Sequence, residues 1–163
     1  MLRVPVGSVL TGFAVPGSDT DWMEVWDKVI PSHTTDGVED VTRWTFGMFT
    51  AVLARGGHNA LEACFAPDHL FEVDMLRDFR HSYRANPYAV WETYYATVLG
   101  SSRSLRNQPL KAEIFTRRLL FDRWACLDNY GRFDPTAFRR TSGGERLYQR
   151  RLGKVESDPY AVL

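Results

Sequence analysis

The spacing of apolar residues changes near residue 45, from strand-like alternation to helical repetition, and few architectures accommodate that division. Leu2 to Val6 is a short apolar run ending at Gly7-Ser8, Asp21 to Ile30 alternates as a strand does, and Val38 to Thr45 reads as a third strand. Between them lie a Gly- and Pro-punctuated connection from Val9 to Gly17 and a loop from Pro31 to Gly37. Phe46, Phe49, Val52 and Leu53 then share one helical face before Gly56-Gly57 stops the turn. Asn59 is expected to cap a short helix that Pro67 breaks, with longer helices from Asp68 to Tyr83, Pro87 to Leu99 and Pro109 to Asn129. Ser142-Gly143-Gly144-Glu145 reads as a flexible turn inside a basic segment around Arg139, Arg140, Arg146, Arg150 and Arg151. The expectation is one α/β (α+β) domain over residues 1–163, sheet-rich over 1–45 and mostly helical over 46–163.

Charge narrows the function. Twenty basic and twenty acidic side chains cancel, which argues against a protein that coats nucleic acid by bulk electrostatics, so any phosphate recognition must be local. The balance hides a split: residues 1–100 carry 13 acidic and 7 basic side chains, residues 101–163 carry 7 and 13. No apolar run approaches the roughly 20 residues of a membrane span, and the first residues lack a signal peptide's apolar core, so a cytoplasmic protein without a membrane partner is expected. Cys64 and Cys126 sit among apolar neighbours and read as buried free thiols, with a disulfide as the minor alternative. Neither CxxC nor HExxH spacing occurs, and the GxxxxGK[ST] phosphate loop is absent.

The stretch that carries chemistry runs from Gly7 to Trp22. Side chains two apart on a strand project to the same face roughly 6 to 7 Å apart, so Asp19 and Asp21 can aim both carboxylates at one site. Hard Mg²⁺ prefers such oxygen ligands, and paired ions in phosphoryl chemistry serve the attacking and leaving oxygens together. Gly-Ser-Asp is also ordinary turn material. What favours the metal is Gly7-Ser8 at the end of an apolar run, where small residues let backbone N–H groups and the Ser8 hydroxyl approach a triphosphate.

Gly-Ser, a glycine-containing connection and then Asp-x-Asp resembles the signature of the DNA polymerase β-like nucleotidyltransferase superfamily. The likeness is closer to a bacterial and phage subgroup of predicted nucleotidyltransferases. It continues through Asp40-Val-Thr-Arg-Trp-Thr-Phe-Gly-Met-Phe and His58-Asn-Ala-Leu-Glu-Ala-Cys-Phe-Ala-Pro67, and covers roughly residues 5–70. The resemblance implies a minimal nucleotidyltransferase fold in which Asp19, Asp21 and Asp40 bind metal and carry catalysis, while Gly7, Ser8 and Ser18 contact the nucleotide. Asn59 and Glu62 match the subgroup's pattern, and read equally as capping and core-supporting groups. Lys111 to Leu120 is similar to a Lys-to-Arg-Leu-Leu helix of the subgroup, with Phe115 where a His often stands. Lys111 and Arg118, seven apart on one helix face, would span about 10 Å and could touch a triphosphate, or be solvated surface charge.

The implied activity is Mg²⁺- or Mn²⁺-dependent transfer of a nucleoside monophosphate from an NTP to a hydroxyl acceptor, whether tRNA, another nucleic acid, a protein or a small molecule. In a phage the place of action would be the host cytoplasm. Two alternatives stay open: a nucleotide-binding module on the same fold without turnover, and a nucleic-acid-binding accessory protein that uses the basic C-terminal segment. Trp22, Trp26 and Trp44 on strands and Trp91 and Trp124 on helices are expected to be mainly core.

Overall fold

Alternation along β1 (Leu2–Val6) and β2 (Thr20–Trp26) sends Leu2, Val4, Val6, Met23 and Val25 to one face of a sheet, where all five are buried under helices. The computed structural model, which describes residues 1–154, adds β3 (Ser32–Thr35), β4 (Glu39–Thr45) and β5 (Val73–Asp74) to that sheet. Spatial order is β3-β4-β2-β1-β5, with β2 and β4 parallel and the other pairs antiparallel. The chain is therefore a mixed α+β fold, as its change of period predicts.

Seven helices, among the described residues, follow the strands or interrupt them: α1 (Gly7–Thr11), α2 (Phe46–Ala54), α3 (His58–Phe65), α4 (Arg77–Ser82), α5 (Pro87–Ser104), α6 (Pro109–Asp128) and α7 (Ser142–Arg151). Thr45 caps α2 by accepting the Met48 N–H at 3.1 Å, and Asn86 caps α5 by accepting the Tyr88 N–H at 3.0 Å. Pro87 and Pro109 occupy first-turn positions, where no donor is lost. Every residue of α3 from Ala60 to Phe65 is buried, so this short helix is the pillar between sheet and the α5–α6 pair.

A second apolar cluster of Phe13, Ile114, Phe138 and Leu147 ties the loop after α1 to α6 and α7. Each such side chain contributes about 1.5–3 kcal/mol on burial, enough to hold a ten-residue helix against the domain. Cys64 and Cys126 are buried free thiols. Burial pushes them up to about 12 and about 11 respectively.

Several local expectations are corrected. The single helix expected from Asp68 to Tyr83 is instead a 3₁₀ turn, the edge strand β5 and α4. Its apolar spacing suits a helix, but β1 has an edge to pair, and Arg3 and Leu2 find Val73 and Asp74 there. The 31–37 loop contains β3, whose Ser32 to Thr35 pairs with Arg43 to Asp40, and β2 ends at Trp26 rather than Ile30. Part of the 9–17 connection is α1, and Gly57 rather than Asn59 is the residue before α3.

Ser142 to Glu145 is no flexible turn but the start of α7: the Thr141 hydroxyl accepts the Gly144 N–H at 3.0 Å. Gly144 lies so close to the Phe138 carbonyl that a Cβ would collide with it. None of the five tryptophans is fully buried. Trp22 and Trp26 lie on the outer sheet face, where they donate to Glu39 and Glu24, and Trp124 is more than half exposed. No described helix is long and apolar enough to cross a membrane.

Candidate functional site

Parallel pairing of β2 with β4 sets Asp21 directly opposite Asp40, and Asp19 stands two residues before Asp21. One oxygen from each of the three carboxylates lies within 4.8 Å of the others. Burial first, then repulsion from Asp19 and from Asp40, raises Asp21 above its ordinary carboxylate range, and the charges of Lys111 and His33 only partly offset this. His33 reaches the neighbourhood from β3, its Nδ1 held 3.0 Å from the Thr42 hydroxyl.

Gly7 begins α1 immediately behind this cluster. Its φ of +62° lies in the left-handed region, and a Cβ there would stand 2.6 Å from Asp21 Oδ2, so glycine is required twice over. The Gly7 N–H donates to Glu62 Oε2 at 3.4 Å, and Glu62 Oε1 accepts from Arg118 Nη1. Glu62 is fully buried and Arg118 nearly so. This ion pair fastens α1 to α3 and α6, and removing one partner would leave a buried uncompensated charge.

Asp122, one turn beyond Arg118, is fully buried, and neither of its oxygens has a hydrogen-bond partner among the described residues. Burial drives its carboxyl well above the usual range despite Arg118, which favours the neutral acid. Burial also raises the neighbouring Tyr94 hydroxyl and lowers His58, whose ring meets Phe115 edge-on at 5.4 Å.

A cleft of about 330 Å³ opens in front of the three aspartates. Gly7, Ser8, Asp19, Asp21 and Asp40 line it from the strand side, His58, Asn59 and Glu62 from α3, and Lys111, Phe115 and Arg118 from α6. Arg151, in the last turn of α7, lines it as well. Lys111 and Arg151 have no ion-pair partner among the described residues, whereas the Arg118 Nη1 is committed to Glu62. Arg118 thus stands at the cleft but is held in place by Glu62 first.

Ser18 is the exception among the sequence-assigned residues. It lies outside the cleft lining, and its hydroxyl accepts the Val15 N–H at 2.9 Å to close the loop before β2. Arg117 also turns elsewhere, to Glu113 at 3.2 Å. His33, His58 and Arg151 were not singled out by sequence reasoning. A strand alternation through His33 would have marked its face, but Arg151 follows 110 residues after Val41 and only the packing of α7 brings it back. No family model, curated protein or solved structure matches this chain, so a functional reading rests on the residues of the cleft themselves.

Proposed function

We propose that the chain transfers a nucleoside monophosphate from an NTP to a hydroxyl acceptor, releasing pyrophosphate, in the presence of Mg²⁺ or Mn²⁺. The observation that carries the reading is one cleft with three clustered carboxylates facing Lys111 and Arg151, two cations that have no ion-pair partner among the described residues. A magnesium triphosphate has the same two signs of charge in the same order. The donor set fits a hard divalent cation: three carboxylate oxygens close together, with Asp21 raised by burial and then by repulsion from the other two. When bound, the cation screens the triphosphate and acidifies a hydroxyl beside it.

The chain's own residues do the positioning. Asp19, Asp21 and Asp40 would hold the cation, with Asp40 also serving the acceptor. Lys111 and Arg151 neutralise non-bridging oxygens as the acceptor oxygen bonds to the α-phosphorus and the bond to the bridging oxygen breaks. Ser8 offers its hydroxyl from α1, whose place is fixed by the Gly7–Glu62–Arg118 chain. Catalysis by positioning needs no nucleophilic side chain.

The test is incubation of the protein with each labelled NTP, Mg²⁺ or Mn²⁺ and a cell extract. The expected outcome is label on one acceptor class, abolished by EDTA and by Asp21→Asn. A well-folded protein whose melting temperature no NTP raises in either metal overturns the reading. Phe115, standing where the resembled subgroup often has a His, favours a second reading, nucleotide binding without turnover; a thermal shift with no labelled acceptor identifies it.

A further inference from the structure

The proposal concerns the side of the molecule formed by α5 and α6, away from the aspartates. A four-residue link, 105–108, joins these helices into an antiparallel hairpin in which Trp91, near the start of α5, meets Trp124, near the end of α6, at 4.9 Å. Their inner faces bury Val90, Tyr94, Ile114, Leu119 and Cys126. Their outer faces are also apolar. Tyr88, Tyr95, Leu99, Leu120, Trp124 and Leu127 are all between 41% and 77% exposed. On α5 the three fall at spacings of seven and four, and on α6 at four and three, so each helix presents one continuous seam to solvent.

A surface helix ordinarily has one apolar stripe and a polar back. This hairpin has two stripes. We propose that the outer one is the interface of a two-fold dimer of this chain, in which two hairpins form a four-helix layer.

Charge and shape both select a second copy, and both fix its direction. At one end of the seam stand the exposed acids Glu92 and Asp128, and at the other the exposed base Arg103, beside which Arg117 is paired with Glu113. A two-fold axis lying in the interface and crossing the helices sets the acidic end of each copy on the basic end of the other. The same rotation sets the exposed Leu99 of each copy towards the opposite end, where a hollow of about 300 Å³ lies between Tyr88, Trp91, Trp124 and Leu127. An isologous contact requires this kind of self-complementarity. Net charge of zero means two copies do not repel at long range.

The area suffices. Helices of 18 and 20 residues are about 27–30 Å long and pack about 10 Å apart, so the face offers ~550 Å² per copy and ~1,100 Å² in total, at the threshold of a specific interface. The predicted dimer is reversible rather than obligate.

Light scattering on the eluting full chain, over a series of loading concentrations, tests this. The expected mass rises with concentration towards twice 18.7 kDa. Trp124→Glu should raise the dimer dissociation constant by about thirtyfold or more, the scale of an interface hot spot, with an unchanged circular dichroism spectrum. Asp128→Arg should weaken the dimer, and adding Arg103→Glu to it should restore affinity, because each copy then presents the two ends exchanged. These charge variants lie outside the core and keep the test valid if Trp124→Glu misfolds. A monomer at every concentration, or a dimer indifferent to all three substitutions, overturns the proposal.

Discussion

Two clusters of charge in this molecule are built on opposite plans, one buried around Arg80 and one half-open around Asp21. Around Arg80, which is 1% exposed, the guanidinium donates to Asp68 and Asp74 and to the carbonyls of Cys64 and Ala66, while His81 adds a contact to Asp68. Every strong donor there has an acceptor, and the ring of Phe71 lies under the cation at 3.8 Å. Around Asp21 the charges repel. Three carboxylates converge, and Lys111, which has no ion-pair partner among the described residues, faces them from a helix across a cleft. The contrast teaches that charge density alone does not mark a site. A satisfied cluster is structure, and one that keeps an excess of one sign facing an opening is reserved for something that arrives.

The largest effect expected from breaking this contrast is on transfer. Asp21→Asn or Asp19→Asn should abolish metal-dependent labelling without unfolding the protein, as read by activity beside circular dichroism. Next comes Arg80→Met, which leaves buried Asp74 with only the longer Arg77 contact at 3.7 Å and should cost about 3–5 kcal/mol in denaturant unfolding while the surviving folded fraction binds NTP normally. Lys111→Ala and Arg151→Ala should each weaken NTP binding by about 1–3 kcal/mol, the scale of a charge-assisted hydrogen bond. AMP, lacking the outer phosphates, should be affected less. Titration calorimetry with both nucleotides separates the two.

The smallest effect concerns pH, and its sign differs between the clusters. Asp21 is raised above 3.8 when folded, so the folded chain binds its proton first. Its carboxylate penalty is relieved as pH falls through the raised value, so metal-free stability gains there while metal affinity declines. Asp68 is held down to about 2 by its His81 and Arg80 hydrogen bonds, so its contribution is present above 3.8 and is lost as pH falls from there towards about 2. Without metal, the melting temperatures of Asp21→Asn and Asp68→Asn should differ from the parent in opposite directions at neutral pH, the first higher and the second lower, and converge on it as pH falls.

The same contrast explains what sequence could show. Asp19 and Asp21 were legible because a strand's period of two is a local rule, and α2 was legible because Phe46, Phe49, Val52 and Leu53 repeat at helical spacing. Asp40 was reached only through resemblance, since nothing local reveals which residue of a neighbouring strand lies opposite Asp21. Arg118 was read as a phosphate ligand because its buried partner, Glu62, is 56 residues away. Arg80 hid the edge strand: a run whose apolar spacing fits a helix was cut in two by ion pairs across it. Arg151 lay in a basic run read as solvated, and only the apolar contacts of Phe13, Ile114 and Leu147 bring its helix to the cleft.

Parallel pairing of β2 with β4 requires residues 27–38 to cross over, and they do so by forming β3 at the sheet edge, with the β3–β4 turn at Asp36-Gly37 exposed at its tip. Lineages descended from such a chain would drift unevenly in length. Residues could be gained or lost at that tip without moving Asp40, because the register begins only where Thr20 meets Glu39. One residue added between Asp40 and Val41 is different: to keep Val41 opposite Trp22 and the rest of β4 in place, Asp40 must turn to the other face of the sheet. Relatives should therefore vary in length at that turn and hardly at all in the number of residues from Asp40 to Thr45.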